Sequence, residues 1–198
     1  MYRKQKIVIC IIILAFFIRL IAINQYFTGD EIDTVGPARS FVLLGDFKVY
    51  DTSDGAYYNF THPPIRTLLY SYWAGIFGFS NMALRLIPII FGTLFVLVVY
   101  FIGKNLYTEN IGIIAAFMAA ISRYILWFSD TASVDTGHFL FTTSTVFLFF
   151  IIYLKNGKKE NFLVSSLFLT ISILTKFSTL IIFIPILVIL CLYLTLFT

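Results

Sequence analysis

Apolar residues run on without regular polar interruption in four stretches of the chain: Ile7 to Ile23, Leu86 to Ile102, Ile111 to Phe128 and Thr136 to Leu154. Each reaches the roughly 17 residues that a helix, rising about 1.5 Å per residue, needs to cross about 30 Å of hydrocarbon. A fifth stretch, Phe162 to Phe197, is too long for one crossing and is interrupted by Lys176, so it predicts two helices meeting near that lysine. Ile65 to Phe79 behaves differently. At about 15 residues it makes only about 22 Å of helix, and it carries Tyr70, Tyr72 and Trp73, side chains that prefer the headgroup level. This pattern predicts a helix lying along the membrane.

Charge supports that assignment independently. Lys and Arg gather on cytoplasmic loops, and the basic segments here are Arg3, Lys4 and Lys6, the turn at Lys104, and the turn at Lys155, Lys158 and Lys159. They share one side only if Ile65 to Phe79 does not span. The expected fold is an all-α integral membrane protein of about six transmembrane helices with both ends inside. The whole chain, 1–198, forms one transmembrane domain, with a first outer loop at 24–65 and an interfacial helix at 65–80. Within the loop, Asp33 or Gly36 is placed to cap a short in-plane helix with Pro37 in its first turn and Gly45 just past its end. Ala38, Phe41, Val42 and Leu44 would then face the membrane and Arg39 the polar side.

Composition narrows the class. Hydrophobic residues make up 60% of the chain and charged ones 12%, against roughly 45 to 50% and about 25% in soluble domains, which leaves no separate soluble domain. The net charge of +4 sits at helix ends, without the aromatic interleaving of a nucleic-acid surface. Cys10 and Cys191 lie in apolar runs far apart, which suggests neither a disulfide framework nor a thiolate metal site. The first apolar run follows basic residues but precedes Asn24-Gln25-Tyr26-Phe27 instead of a small-residue cleavage site, and reads as a retained helix.

On this topology the conspicuous polar residues Asp30, Glu31, His62, Asp130, Asp135 and Lys176 come to the non-cytoplasmic face. Asp30-Glu31 follows the first helix, where a carboxylate can take a proton from a hydroxyl or hold a cation. Two adjacent carboxylates also favour a cationic partner such as Arg39. A solvated helix end is the plainer reading of this pair. His62 precedes Pro63-Pro64, which pins the backbone and the direction of a side chain able to donate to a phosphate; a simple turn is the alternative. Asp135 begins the fourth span, as an N-cap or as a site residue. His138, one turn on, is equally a packed polar residue. Lys176 at membrane depth is functional by default, unless it snorkels to the headgroups. Arg66, Arg85 and Arg123 are further cations on that face, or helix anchors. Asn59-Phe60-Thr61 fits the N-glycosylation acceptor pattern, a frequent chance match.

In order, Asp30-Glu31, Ala38-Arg39, Gly45-Asp46, His62-Pro63-Pro64 and Arg85-Leu86-Ile87-Pro88 resemble the N-terminal half of the GT-C superfamily of membrane glycosyltransferases. The likeness is to the group of dolichyl-phosphate-mannose protein mannosyltransferases and aminoarabinose transferases, although Arg85 to Pro88 holds one residue more than that group's Arg-Leu-Pro. Ser129 through Asp135-Thr136 and Leu174-Thr175-Lys176 continue the series. The resemblance implies transfer of a sugar from a polyprenyl-phosphate carrier to an acceptor hydroxyl of a protein, lipid or glycan, on the outer face of a cell or endoplasmic reticulum membrane, with inversion. It makes Asp30 the general base, groups Glu31 with it as catalytic, and has Asp135 orient the acceptor or hold a catalytic cation; Arg39, His62, Arg85 and Lys176 would bind the donor phosphate. It fixes no cofactor: such enzymes are not uniformly metal-dependent, so no metal ligand is assigned and a divalent cation stays optional. Because full-length members have more spans, a second polypeptide supplying further helices is an expected partner. Two other classes compete with the enzyme: a polyprenyl-phosphate carrier without chemistry, and a non-catalytic membrane subunit.

Overall fold

The structure is a computed structural model that describes residues 2–23, 26, 31–46, 48–51, 56–59, 64–132 and 137–185. Helices carry nearly all of it: α1 (Tyr2–Arg19), α2 (Ile32–Leu44), α3 (Pro64–Phe77), α4 (Asn81–Leu106), α5 (Glu109–Ile121), α6 (Arg123–Asp130), α7 (Gly137–Asn156) and α8 (Lys159–Thr175). Between α2 and α3 lies an antiparallel hairpin, β1 (Lys48–Asp51) and β2 (Ala56–Asn59), with Lys48 opposite Asn59 and Asp51 opposite Ala56. The short helix expected in the long loop is present as α2, and the all-α expectation is revised by this strand pair, in which Val49 stands opposite Tyr58 and Tyr50 opposite Tyr57.

The long apolar helix α4 is the central element, packed against α7, α5 and α6, while α7 packs on α8 and α1 on α4 and α5. One cluster of core residues joins α1, α4 and α5 through Val8, Ile11, Ala15, Val96, Tyr100 and Ala116. A second joins α2, α3 and α4 through Ala38, Tyr70, Ala74, Leu84 and Ile87, and includes Ala132. Large apolar side chains such as Ile9, Phe17, Ile114, Leu163 and Ile181 are exposed, whereas Arg19, Glu31, Arg66 and Arg85 are buried. That is the inverse of a soluble protein. A lipid solvent accounts for it.

Among the described residues two helices are long and apolar enough to cross a membrane alone, Asn81–Leu106 and Gly137–Asn156. A third crossing forms if Glu109–Ile121 and Arg123–Asp130, bent by 63° at their junction, count as one. The expected straight span from Ile111 to Phe128 is therefore broken at Ser122, which is extended at φ −62° and ψ 118°. Helix α1 carries Arg3, Lys4, Lys6 and Arg19 within its 18 residues, and α8 has 17.

Two local expectations are revised and the break at Lys176 is met. Helix α2 is capped by Glu31, so Pro37 lies inside it and not in its first turn; Gly45 does end it, in the left-handed conformation at φ 72°. Ala38 faces protein and is fully buried, while Val42 and Leu44 are exposed. The chain does leave the helix at Lys176, which is extended at φ −152° and ψ 120°, and residues 179–185 are helical again.

Candidate active site

The polar core gathers at one end of the bundle, where α1, α6 and α8 finish and α2, α4 and α7 begin. Helix α1 delivers Arg19 there. Its guanidinium is fully buried, with Nε donating to Ser129 Oγ at 2.7 Å and Nη1 to the Ala15 carbonyl at 2.8 Å. Ser129 in turn donates to the Ile125 carbonyl at 2.6 Å, back along α6. This approach needs Gly92 on α4: a Cβ there would stand 2.2 Å from Ser129 Cβ and 3.1 Å from Arg19 Nε. Gly137 is similarly close but against backbone, since its Cβ would meet the Pro88 carbonyl oxygen at 2.3 Å and the Gly92 nitrogen at 2.6 Å. Small residues thus bring α6 and α7 against α4, as in membrane helix packing generally.

Glu31 joins the next pair of elements. Its Oε2 accepts from Arg85 Nη2 at 2.8 Å, and its Oε1 accepts from the Ala132 backbone N–H at 2.8 Å. Arg85 Nη2 also donates to the Tyr26 carbonyl at 3.0 Å. Both side chains of the ion pair are 2% exposed. A buried carboxylate whose two oxygens each accept from a donor holds its charge through those bonds. Removing one partner would strand the other charge. The half-buried Asp130 lies within electrostatic reach of Arg85, Arg19 and Glu31.

A second group lies beside the first. Arg66 on α3 and His138 on α7 are buried, and His138 is within electrostatic reach of Arg66. The imidazole meets the edges of Tyr70 and Phe91 at centroid distances of 6.3 and 6.2 Å. Lys176 Nζ stands 5.6 Å from the centre of the Phe139 ring, one residue from His138.

Glu31 and Arg85 are brought into contact, and Lys176 joins the same end of α7. Arg39 is exposed on α2 and makes no ion pair among the described residues. Asp30, His62 and Asp135 lie outside the described residues. Their described neighbours include Glu31 and Ala132, which are bonded to each other. Arg19 is a site residue that the sequence candidates do not include, although a charge inside an apolar run is the signal for it; Ser129 enters them only as part of a motif. Among the described residues no group of three or more His, Cys, Asp and Glu side chains converges as a metal site would require.

A family profile described as dolichyl-phosphate-mannose-protein mannosyltransferase matches residues 61–197, more than half of the chain. No curated protein matches it.

Proposed function

Since this chain belongs to the dolichyl-phosphate-mannose-protein mannosyltransferase family, GT-C-like membrane glycosyltransferases, we propose that it moves a sugar from a polyprenyl-phosphate carrier to an acceptor hydroxyl on the non-cytoplasmic face. The observation that carries this reading is the Glu31 clasp. By accepting from Ala132 N–H and from Arg85, Glu31 ties the residue next to Asp30 to the segment that leads into Asp135. Two acidic positions distant in sequence thus each lie close along the chain to one partner of the Glu31 to Ala132 bond, which supports placing them in one site.

Asp30 is the proposed general base. It takes the acceptor's hydroxyl proton while that oxygen bonds to the anomeric carbon and the bond from that carbon to the phosphate oxygen breaks, which inverts the centre. The departing polyprenyl phosphate is already a stable anion, so it needs cations and hydrogen-bond donors more than a proton. Lys176 and His62 are assigned to that task, and Arg39 to the headgroup rim from its exposed place on α2. Glu31 has both oxygens committed to donors, which favours positioning over proton transfer. Arg85 supports Glu31 first and the donor phosphate only through its charge. Asp135 orients the acceptor.

The test is sugar transfer in membranes containing the full chain, from a synthetic polyprenyl-phosphate-linked sugar. Asp30→Asn is expected to lose about 100-fold to 10,000-fold. A loss below about tenfold would remove Asp30 from the base role.

A further inference from the structure

The helix break at Lys176 is held by a chain of hydroxyls. Non-helical backbone at membrane depth persists only where protein or enclosed water satisfies its polar groups, and the Ser172 carbonyl here takes two donors. The Lys176 N–H reaches it at 3.0 Å, and Thr179 Oγ1 reaches it at 3.0 Å from beyond the break. Ser172 Oγ lies 3.2 Å from Thr179 Oγ1 and 2.8 Å from Thr143 Oγ1 on α7. Each hydroxyl has one proton. With the Thr179 proton on the Ser172 carbonyl, the Ser172 proton goes to Thr179 Oγ1, and Thr143 must then donate to Ser172 Oγ. One ordering satisfies all three groups.

This chain also sets register. Helices α7 and α8 run antiparallel, and Ser165 Oγ donating to the Val146 carbonyl at 2.9 Å agrees with the Thr143 to Ser172 pairing. One turn further along both helices, about 6 Å away, Phe139 faces Lys176. The bond that closes the break and the contact that seats the lysine are therefore consecutive rungs of one ladder.

The geometry points to Thr143, Ser172 and Thr179 as a positioning unit: it ends α8 at Thr175 and presents the Lys176 ammonium to the active-site end of the bundle, against the phosphate of the lipid-linked donor. Their hydroxyls bond one another and the Ser172 carbonyl, so their assigned role is positioning and not donor contact. The assignment rests on the proposed donor-binding role of Lys176, and the experiment separates the two.

In vesicles containing the full chain, with polyprenyl-phosphate-linked mannose as probe, Lys176→Gln and Thr179→Val are each expected to raise KM for the donor. Thr179→Val should do so about fivefold to tenfold, the size of one lost hydrogen bond, with kcat within about twofold. Thr179→Ser keeps the hydroxyl and should restore the parent KM. A second arm needs no activity. In a Cys10→Ser, Cys191→Ser background, Lys176→Cys is labelled with a membrane-impermeant maleimide, and adding Thr179→Val should change the labelling rate by about tenfold as the break loses its anchor. A KM raised by Lys176→Gln but not by Thr179→Val, with unchanged labelling, overturns the positioning unit. A KM indifferent to Lys176→Gln, with labelling still altered by Thr179→Val, rejects the donor role of Lys176 and keeps the unit. If the parent chain transfers no sugar, the labelling arm decides alone.

Discussion

Glu31 and Arg85 form an ion pair with 2% exposure on either side, and the physics of buried charge makes their variants informative. Breaking such a pair strands a charge at about 3 to 5 kcal/mol, whereas replacing both members by apolar residues of similar volume is often neutral. Glu31→Ala should therefore cost about 3 to 5 kcal/mol in detergent-solubilised protein followed by chemical unfolding. Glu31→Leu with Arg85→Met should recover most of that stability, and the double variant would still lack the bond from Ala132. If the double variant were no more stable than Glu31→Ala, the coupling would lie elsewhere. Arg19 and Ser129 make a weaker case of the same kind. Their charge-assisted bond is worth about 1.5 to 3 kcal/mol, and a double-mutant cycle with Arg19→Met and Ser129→Ala should return a coupling of that sign. These pairings were beyond the reach of sequence reading for a physical reason. The partners stand 54, 101 and 110 positions apart, and neither periodicity nor spacing encodes which buried acid meets which base. Their presence was legible, since a charge at membrane depth is unusual on its own.

Helices show a different balance. Apolar runs located α4 and α7 to within a few residues, and the lysine inside the last run marked the end of α8, because hydrophobic continuity and its interruption are local properties. The bend between α5 and α6 was not legible: Ser122 and Arg123 interrupt the apolar run only briefly, and the contacts that hold α6 beyond it, Ser129 to Arg19 and against Gly92, are long-range. The helix contacts there predict a ranking. At Gly92 an added methyl meets the Ser129 side chain, while at Gly137 it meets the Pro88 carbonyl of the α4 backbone. Overpacking typically costs about 1 to 3 kcal/mol. Gly137→Ala should exceed that range, since backbone cannot move aside. Gly92→Ala should be partly relieved by Ser129→Gly, at the loss of the Arg19 acceptor. Thermal unfolding of the three variants in lipid nanodiscs would rank them, and equal midpoints for Gly92→Ala with and without Ser129→Gly would contradict the close contact.

At the scale of the molecule, the bundle separates its charges by end. Away from the candidate site, Lys4 and Lys104 both reach Glu109, at 3.5 and 3.8 Å, and Lys155 Nζ bonds the Asn105 carbonyl. The three basic segments that the positive-inside rule assigns to one compartment thus meet physically at one end. Helix α3 belongs to the opposite end along its length. Tyr70 packs on His138, and Trp73 Nε1 donates to the Ala83 carbonyl in the first turn of α4 at 2.8 Å. Its 14 residues reach about 21 Å, and its exposed face carries Tyr72, Ile76 and Phe77. A helix held through Tyr70 to His138 in α7 and through Trp73 to Ala83 in α4 is expected to lie across the bundle end instead of traversing it. Residues before and after α3 must then open to the same compartment. With single cysteines in a Cys10→Ser, Cys191→Ser background, Asp46→Cys and Ser80→Cys should both be labelled by an impermeant maleimide from one side of sealed vesicles, and Lys104→Cys and Lys158→Cys from the other. Opposite-side labelling of Asp46→Cys and Ser80→Cys would make α3 a span. It would also put the two acidic segments on different faces of the membrane, and a shared active site for Asp30 and Asp135 would be lost with it.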